Sequence, residues 1–112
     1  MPTEVLAAPT RADRVLSNMT TNTTSGVFRV PSGPKSFYGE VVGTGAVTQT
    51  IAIYGTPYNT AINGILLGTL TLSGTTRTQD ACPVITACFP FYYAVTTNTT
   101  GTSATGAVYA MY

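Results

Sequence analysis

Apolar and polar residues alternate with period two along much of the chain, and turn-forming residues punctuate the alternation. Val27-Phe28-Arg29-Val30 is expected as a short first strand, closed by Pro31-Ser32-Gly33-Pro34. Phe37–Val42 is expected as a second, with Gly43-Thr44-Gly45 as its turn. In Val47–Tyr54, Ile51 and Ile53 point one way and Thr50 and Ala52 the other. Gly55-Thr56-Pro57-Tyr58-Asn59 ends that strand. Ile65–Leu72 places Leu66, Leu70 and Leu72 on one face and Thr69 and Thr71 opposite, with Ser73-Gly74-Thr75 as the turn. Cys88–Thr97 puts Phe89, Phe91, Tyr93 and Val95 inward against Tyr92 and Thr96. Pro90 cannot donate to a ladder, so that strand is expected at an edge or with a bulge. Thr99-Thr100-Gly101 then turns into a last strand, Ala107–Tyr112.

Roughly six or seven short strands without a convincing helix predict an all-β fold, an antiparallel β-sandwich of jelly-roll or immunoglobulin-like type. The strand grammar does not choose between those topologies. It begins only near residue 25, so the pattern divides the chain into an N-terminal arm, residues 1–24, and a sandwich domain, residues 25–112. The arm holds Glu4, Arg11, Asp13 and Arg14 and two small apolar anchors, Val5-Leu6-Ala7-Ala8 and Val15-Leu16. Thr10 is placed to cap one or two helical turns running to Leu16, too short to stand alone. Fully extended, such an arm reaches ~80 Å, against a body about 30 Å across. It can cross a neighbouring subunit, fold back as an extra edge strand, or hang as a tail. Removal of residues 1–24 is expected to leave a folded body.

Composition changes this picture in one respect. Charged residues make up 8% of the chain, against roughly 25% in ordinary globular domains. Thr supplies about one residue in five, the apolar fraction is 44%, and the formal net charge is +1. A core is therefore available, but the surface has little charge with which to repel neighbours. Outward strand positions that usually carry Lys, Glu or Arg are Thr50, Thr69, Thr71 and Thr96. Such sheets are expected to be covered by other protein, as in a structural component of an assembly.

Candidate chemistry is sparse. The chain has no His, hence no side chain ready to shuttle protons near neutral pH. Its carboxylates are Glu4, Asp13, Glu40 and Asp80, and no spacing pairs them. Cys82 and Cys88 lack a His base and are too few to close a metal tetrahedron; they read as reduced, with a short-loop disulfide as the alternative. No enzymatic activity, cofactor or metal is expected. Arg11, Arg14, Arg29, Lys35 and Arg77 are scattered and nearly cancelled by the acids, so no nucleic-acid partner is expected. No apolar run is long enough for a membrane helix, and the N-terminus lacks the basic and apolar regions of a secretory signal. Synthesis and retention in a cytoplasm are expected. Tyr54, Tyr58, Tyr92 and Tyr93 leave a carbohydrate-binding module as a competing reading, although tyrosines near strand ends more often close a core.

The run Gly43-Thr-Gly-Ala-Val47, the strand ending Ile53-Tyr54-Gly55, Leu67-Gly-Thr-Leu-Thr-Leu-Ser-Gly74, the Tyr93-Ala-Val-Thr strand and Ala107-Val-Tyr-Ala-Met111 resemble small β-sandwich head decoration or cement proteins of tailed bacteriophages. The resemblance covers roughly residues 39–112 and rests on turn and strand grammar. It implies a many-copy virion protein, assembled in the host cytoplasm, that binds the major capsid protein and copies of itself as a dimer or trimer. No catalytic residue comes with it. Val5, Leu6, Val15 and Leu16 are expected as apolar contacts, with Arg11 and Arg14 as orienting charges. A tail, adaptor or fibre component of the same virion is the alternative.

Overall fold

Four strands carry the fold in a computed structural model that describes residues 11–112. They are β1 (Ala12–Met19), β2 (Ser36–Thr56), β3 (Ile65–Ala81) and β4 (Phe91–Met111). They form one sheet in the order β1-β4-β2-β3, every neighbour antiparallel. The described residues contain no helix. The all-β antiparallel expectation holds; the strands are fewer, longer and joined in a single sheet.

The reduced number has a specific cause. Gly43-Thr44-Gly45 lies inside β2, Ser73-Gly74-Thr75 inside β3 and Thr99-Thr100-Gly101 inside β4, so three expected turns are interruptions within continuous strands. Left-handed residues mark the same level on all four: Asn18 on β1, Gly45 on β2, Thr76 on β3, and Asn98, Gly101 and Ser103 on β4. Pairing registers shift there too, between Leu16 and Met19, between Val42 and Ala46, and from Val42 to Thr50 along β4. Bulges of this kind bend strands and sharpen their twist. Aligned across neighbours, they crease the whole sheet.

Along the crease the sheet doubles over. Phe37 and Val41 before it and Val47, Ile51 and Ile53 after it are all buried and all odd-numbered, so both halves of β2 turn the same face inward. A Cβ on Gly39 would lie 2.8 Å from Leu70 Cδ1, although Gly39 pairs with Asp80 and Leu70 with Ile51 on the far half. The core sits between the halves, and each fully buried aliphatic or aromatic side chain contributes about 1.5–3 kcal/mol. Gln49 crosses this interior, its Nε2 donating to the Met19 carbonyl at 3.0 Å and to Thr99 Oγ1 at 3.2 Å.

Several expectations are corrected. The segment read as capped helical turns is strand β1, because its N–H and C=O groups pair with β4 from Ala12↔Met111 to Met19↔Gly106. The chain then follows the other half of β4, with Thr23 and Thr96, and Phe28 and Tyr92, exchanging backbone hydrogen bonds. Phe28 thus contributes a single bridge and no extended strand. Within the stretch assigned to an arm, Ala12–Met19 are a sheet member; residues 1–10, with Val5 and Leu6, lie outside the described residues. The inward set of β4 is Tyr92, Ala94 and Thr96, the reverse of the expected phase. Register explains it: Ile53 pairs with Ala94 and Gly55 with Tyr92, so the inward face of β2 dictates that of β4. Tyr92 thereby joins Phe28, Phe37 and Phe89, with ring centroids 6.0–6.2 Å away. Thr96, 2% exposed, directs its hydroxyl to Met19 Sδ. Leu66 is exposed and Leu67 packs on the core, since a bulge between Ile53 and Tyr54 shifts the β3 register by one residue. β4 is central, and Pro90 stands just outside it, where no ladder bond is lost.

Candidate interaction surfaces

Outer faces are what a doubled sheet offers to partners, and its two layers differ in chemistry. On the layer containing β1, a band of side chains crosses all four strands. Arg14 on β1 donates from Nε and Nη2 to the Tyr109 hydroxyl on β4 at 3.1 and 2.8 Å. Tyr109 meets Tyr38 on β2 edge-to-face at 5.8 Å. The Tyr38 hydroxyl donates to Glu40 Oε1 at 3.3 Å, and Arg77 on β3 donates to the same oxygen at 2.8 Å. Burial, and then the Glu40 carboxylate, raise the Tyr38 pKa, so this hydroxyl stays protonated as a donor. Arg and Tyr are the residue types that most often dominate binding energy at protein interfaces.

Arg11 and Asp13 close one end of the molecule. Arg11 and Tyr112 exchange backbone hydrogen bonds, and the Arg11 guanidinium lies 5.6 Å from the Tyr112 ring centroid. The Tyr112 hydroxyl donates to Asp13 Oδ2, which raises its pKa. The 3.5 Å ion pair between Arg11 and Asp13 is exposed and contributes at most ~1 kcal/mol. Of the expected contact residues, Arg11 and Arg14 are thus exposed but engaged with the body's own C-terminal strand. Val15 and Leu16 are half-buried against the core. Val5 and Leu6 lie outside the described residues.

The opposite layer shows mainly hydroxyl groups, with Arg29 over Phe91 at its margin. Thr50 stands between Thr71 and Thr97, Thr48 between Ser73 and Thr100, and Ala52 between Thr69 and Val95. Thr48 Oγ1 is bonded to the Asn98 carbonyl at 2.7 Å and to Thr100 Oγ1 at 2.6 Å, so part of the array is internally satisfied. No charged residue occurs between Glu40 and Arg77, a stretch that includes most of β2 and β3.

A third surface is the tip of the β2–β3 hairpin. Thr56 Oγ1 donates to the Ile62 carbonyl and accepts from the Tyr58 N–H, which folds the connection tightly. Tyr58, Ile62, Ile65 and Leu66 are left 47%, 46%, 63% and 54% exposed. Periodicity alone hides this cluster, because it puts Leu66 on the same face as Leu70 and Leu72. Of the tyrosines considered for sugar stacking, Tyr92 and Tyr93 are buried, and Tyr93 stacks on Tyr54 at 5.1 Å while its hydroxyl accepts the Gly64 N–H. Of the four, Tyr58 is the exposed one, and Tyr54 is half-buried.

An open depression of about 730 Å³ lies between residues 29–32 and 88–90. Arg29 stacks over Phe91 at its side, 5.4 Å from the ring centroid, and Cys88 opens into it. Both thiols are free; Cys82 is buried, and desolvation raises its pKa. No group of three metal-ligating side chains occurs among the described residues. No protein-family model and no curated protein matches the chain.

Proposed function

We propose that the chain is a non-enzymatic structural protein of a virion, decorating and stabilising a bacteriophage capsid. The observation that carries this reading is an ordered body whose outer faces lack charge between Glu40 and Arg77. Such faces gain by lying against other protein and lose little desolvation energy in doing so. The finer architecture that suits the role is a sandwich in which one creased sheet supplies both layers. The Arg14–Tyr109–Tyr38–Glu40–Arg77 band faces the major capsid protein, and Val5 and Leu6 add an apolar contact at the N-terminus. Copies of the chain associate with one another on the shell. Many modest contacts repeated over a lattice then strengthen the particle by avidity.

A test is removal of residues 1–10, which leaves β1 and every described pairing in place. The shortened protein is expected to keep its β-sheet circular dichroism and to lose at least tenfold in affinity for capsids stripped of it. Undiminished binding would remove the N-terminal contact from the proposal.

A further inference from the structure

β3 is an edge strand: its one sheet neighbour is β2. Edges left open add further strands, and proteins usually block them with charge, proline or a covering segment. Here part of the edge is blocked from within. The Thr71 N–H donates to Asp80 Oδ2 at 3.0 Å, a carboxylate supplied by the far half of the same strand across the crease. N-terminal to this clamp, Ile65–Leu67 have no such cover among the described residues, and Ile65 and Leu66 carry the most exposed apolar side chains of the sheet.

The distribution of that exposure indicates how the edge is used. Ile65 pairs with inward Gly55 and Leu66 with outward Tyr54, so the two side chains project from opposite faces of the strand. A partner lying on one face would cover one of them. A strand added at the edge places cross-strand neighbours beside both. We infer that Ile65–Leu67 pairs antiparallel with the same segment of a second copy, about a two-fold axis near Leu66. This deepens the self-association in the proposed function and rests on that reading.

A second copy fits for two reasons. An antiparallel strand pair is self-complementary, as a two-fold interface requires, and the uncharged tip presents nothing that repels its own image. The areas also match. Tyr58, Ile62, Ile65 and Leu66, each roughly half exposed, offer on the order of 400 Å² per copy. That is about the apolar half of the ~800 Å² per partner in a standard interface. Asn59, Thr60, Asn63 and Thr69 supply an uncharged polar rim. The Asp80 clamp on Thr71 stops the pairing from spreading along the edge, which favours a closed dimer over a fibre.

The experiment is the solution mass of the full chain from about 1 μM to 1 mM, for the natural protein and for Ile65→Lys, Leu66→Lys and, as a control beyond the clamp, Thr75→Lys. The natural chain and Thr75→Lys are expected to rise from 11.7 kDa to twice that mass. Ile65→Lys and Leu66→Lys are expected to stay monomeric throughout, a shift of at least tenfold in dimerisation constant. Association unchanged in folded Ile65→Lys and Leu66→Lys overturns this joint while leaving self-association standing. A natural chain monomeric at 1 mM overturns both. Amide exchange of the natural chain keeps the test decisive should either variant unfold: Ile65–Leu67 should gain protection as concentration rises, and protection independent of concentration refutes the pairing.

Discussion

Lys35 illustrates how far one residue can depart from its ordinary role. It is 2% exposed, and its Nζ donates to the Gly33 carbonyl at 2.7 Å and, more weakly, to that of Ala87 at 3.5 Å. The ammonium also lies 5.6 Å from the Tyr92 ring centroid. With the backbone pairing of Lys35 and Ile85, these contacts pin the segment before β2 to the one before β4. A lysine among apolar neighbours is tolerable when carbonyls and an aromatic face replace water. Lys35→Ala should therefore lower the unfolding free energy by about 1–3 kcal/mol, since it removes the packed stem and the charge-assisted bonds to the two carbonyls. Urea denaturation measures this; an unchanged midpoint would mean the ammonium is dispensable. In the sequence Lys35 is one scattered base among five, because local pattern carries no trace of a contact that depends on two remote segments.

At the scale of elements the crease is the decisive feature. Gly101 has φ +118° and would bring a Cβ within 2.8 Å of the Ala46 carbonyl oxygen, whereas Gly45 has φ +74° with open space around it. Gly101→Ala should cost about 2–4 kcal/mol, from backbone strain and a collision between strands. Gly45→Ala should cost only about 1 kcal/mol, from conformation alone. Chemical denaturation of the two variants separates them, and equal losses would contradict a crease held by close strand approach. The same element shows what periodicity can and cannot convey. Ile51, Ile53, Leu70 and Leu72 are inward as their spacing requires. Gly-Thr clusters, however, satisfy a hairpin turn and a bulge equally well, and only alignment across neighbouring strands distinguishes them. The phase of β4 failed for a related reason: Tyr92 and Tyr93 are both apolar enough to face inward, and pairing with β2 makes the choice. β1 escaped notice because its inner residues are few and its partner lies at the opposite end of the chain.

For the whole molecule, the economy of charge is the property that links sequence to the proposed role. It was legible from composition, while the division of the surface into an Arg–Tyr band, a hydroxyl-rich layer and an apolar hairpin tip became visible only with the register. Arg14 was singled out from the sequence as an orienting charge; its coupling to Tyr109, Tyr38 and Glu40 depends on strands far apart in the chain. In the proposed role this molecule functions against other protein on a particle. The most direct measurement is quantitative mass spectrometry of purified virions from the host that makes the chain. In that role the protein is expected in fixed proportion to the shell protein, in many copies per particle. Finding it only in the soluble lysate, and absent from particles, would contradict it.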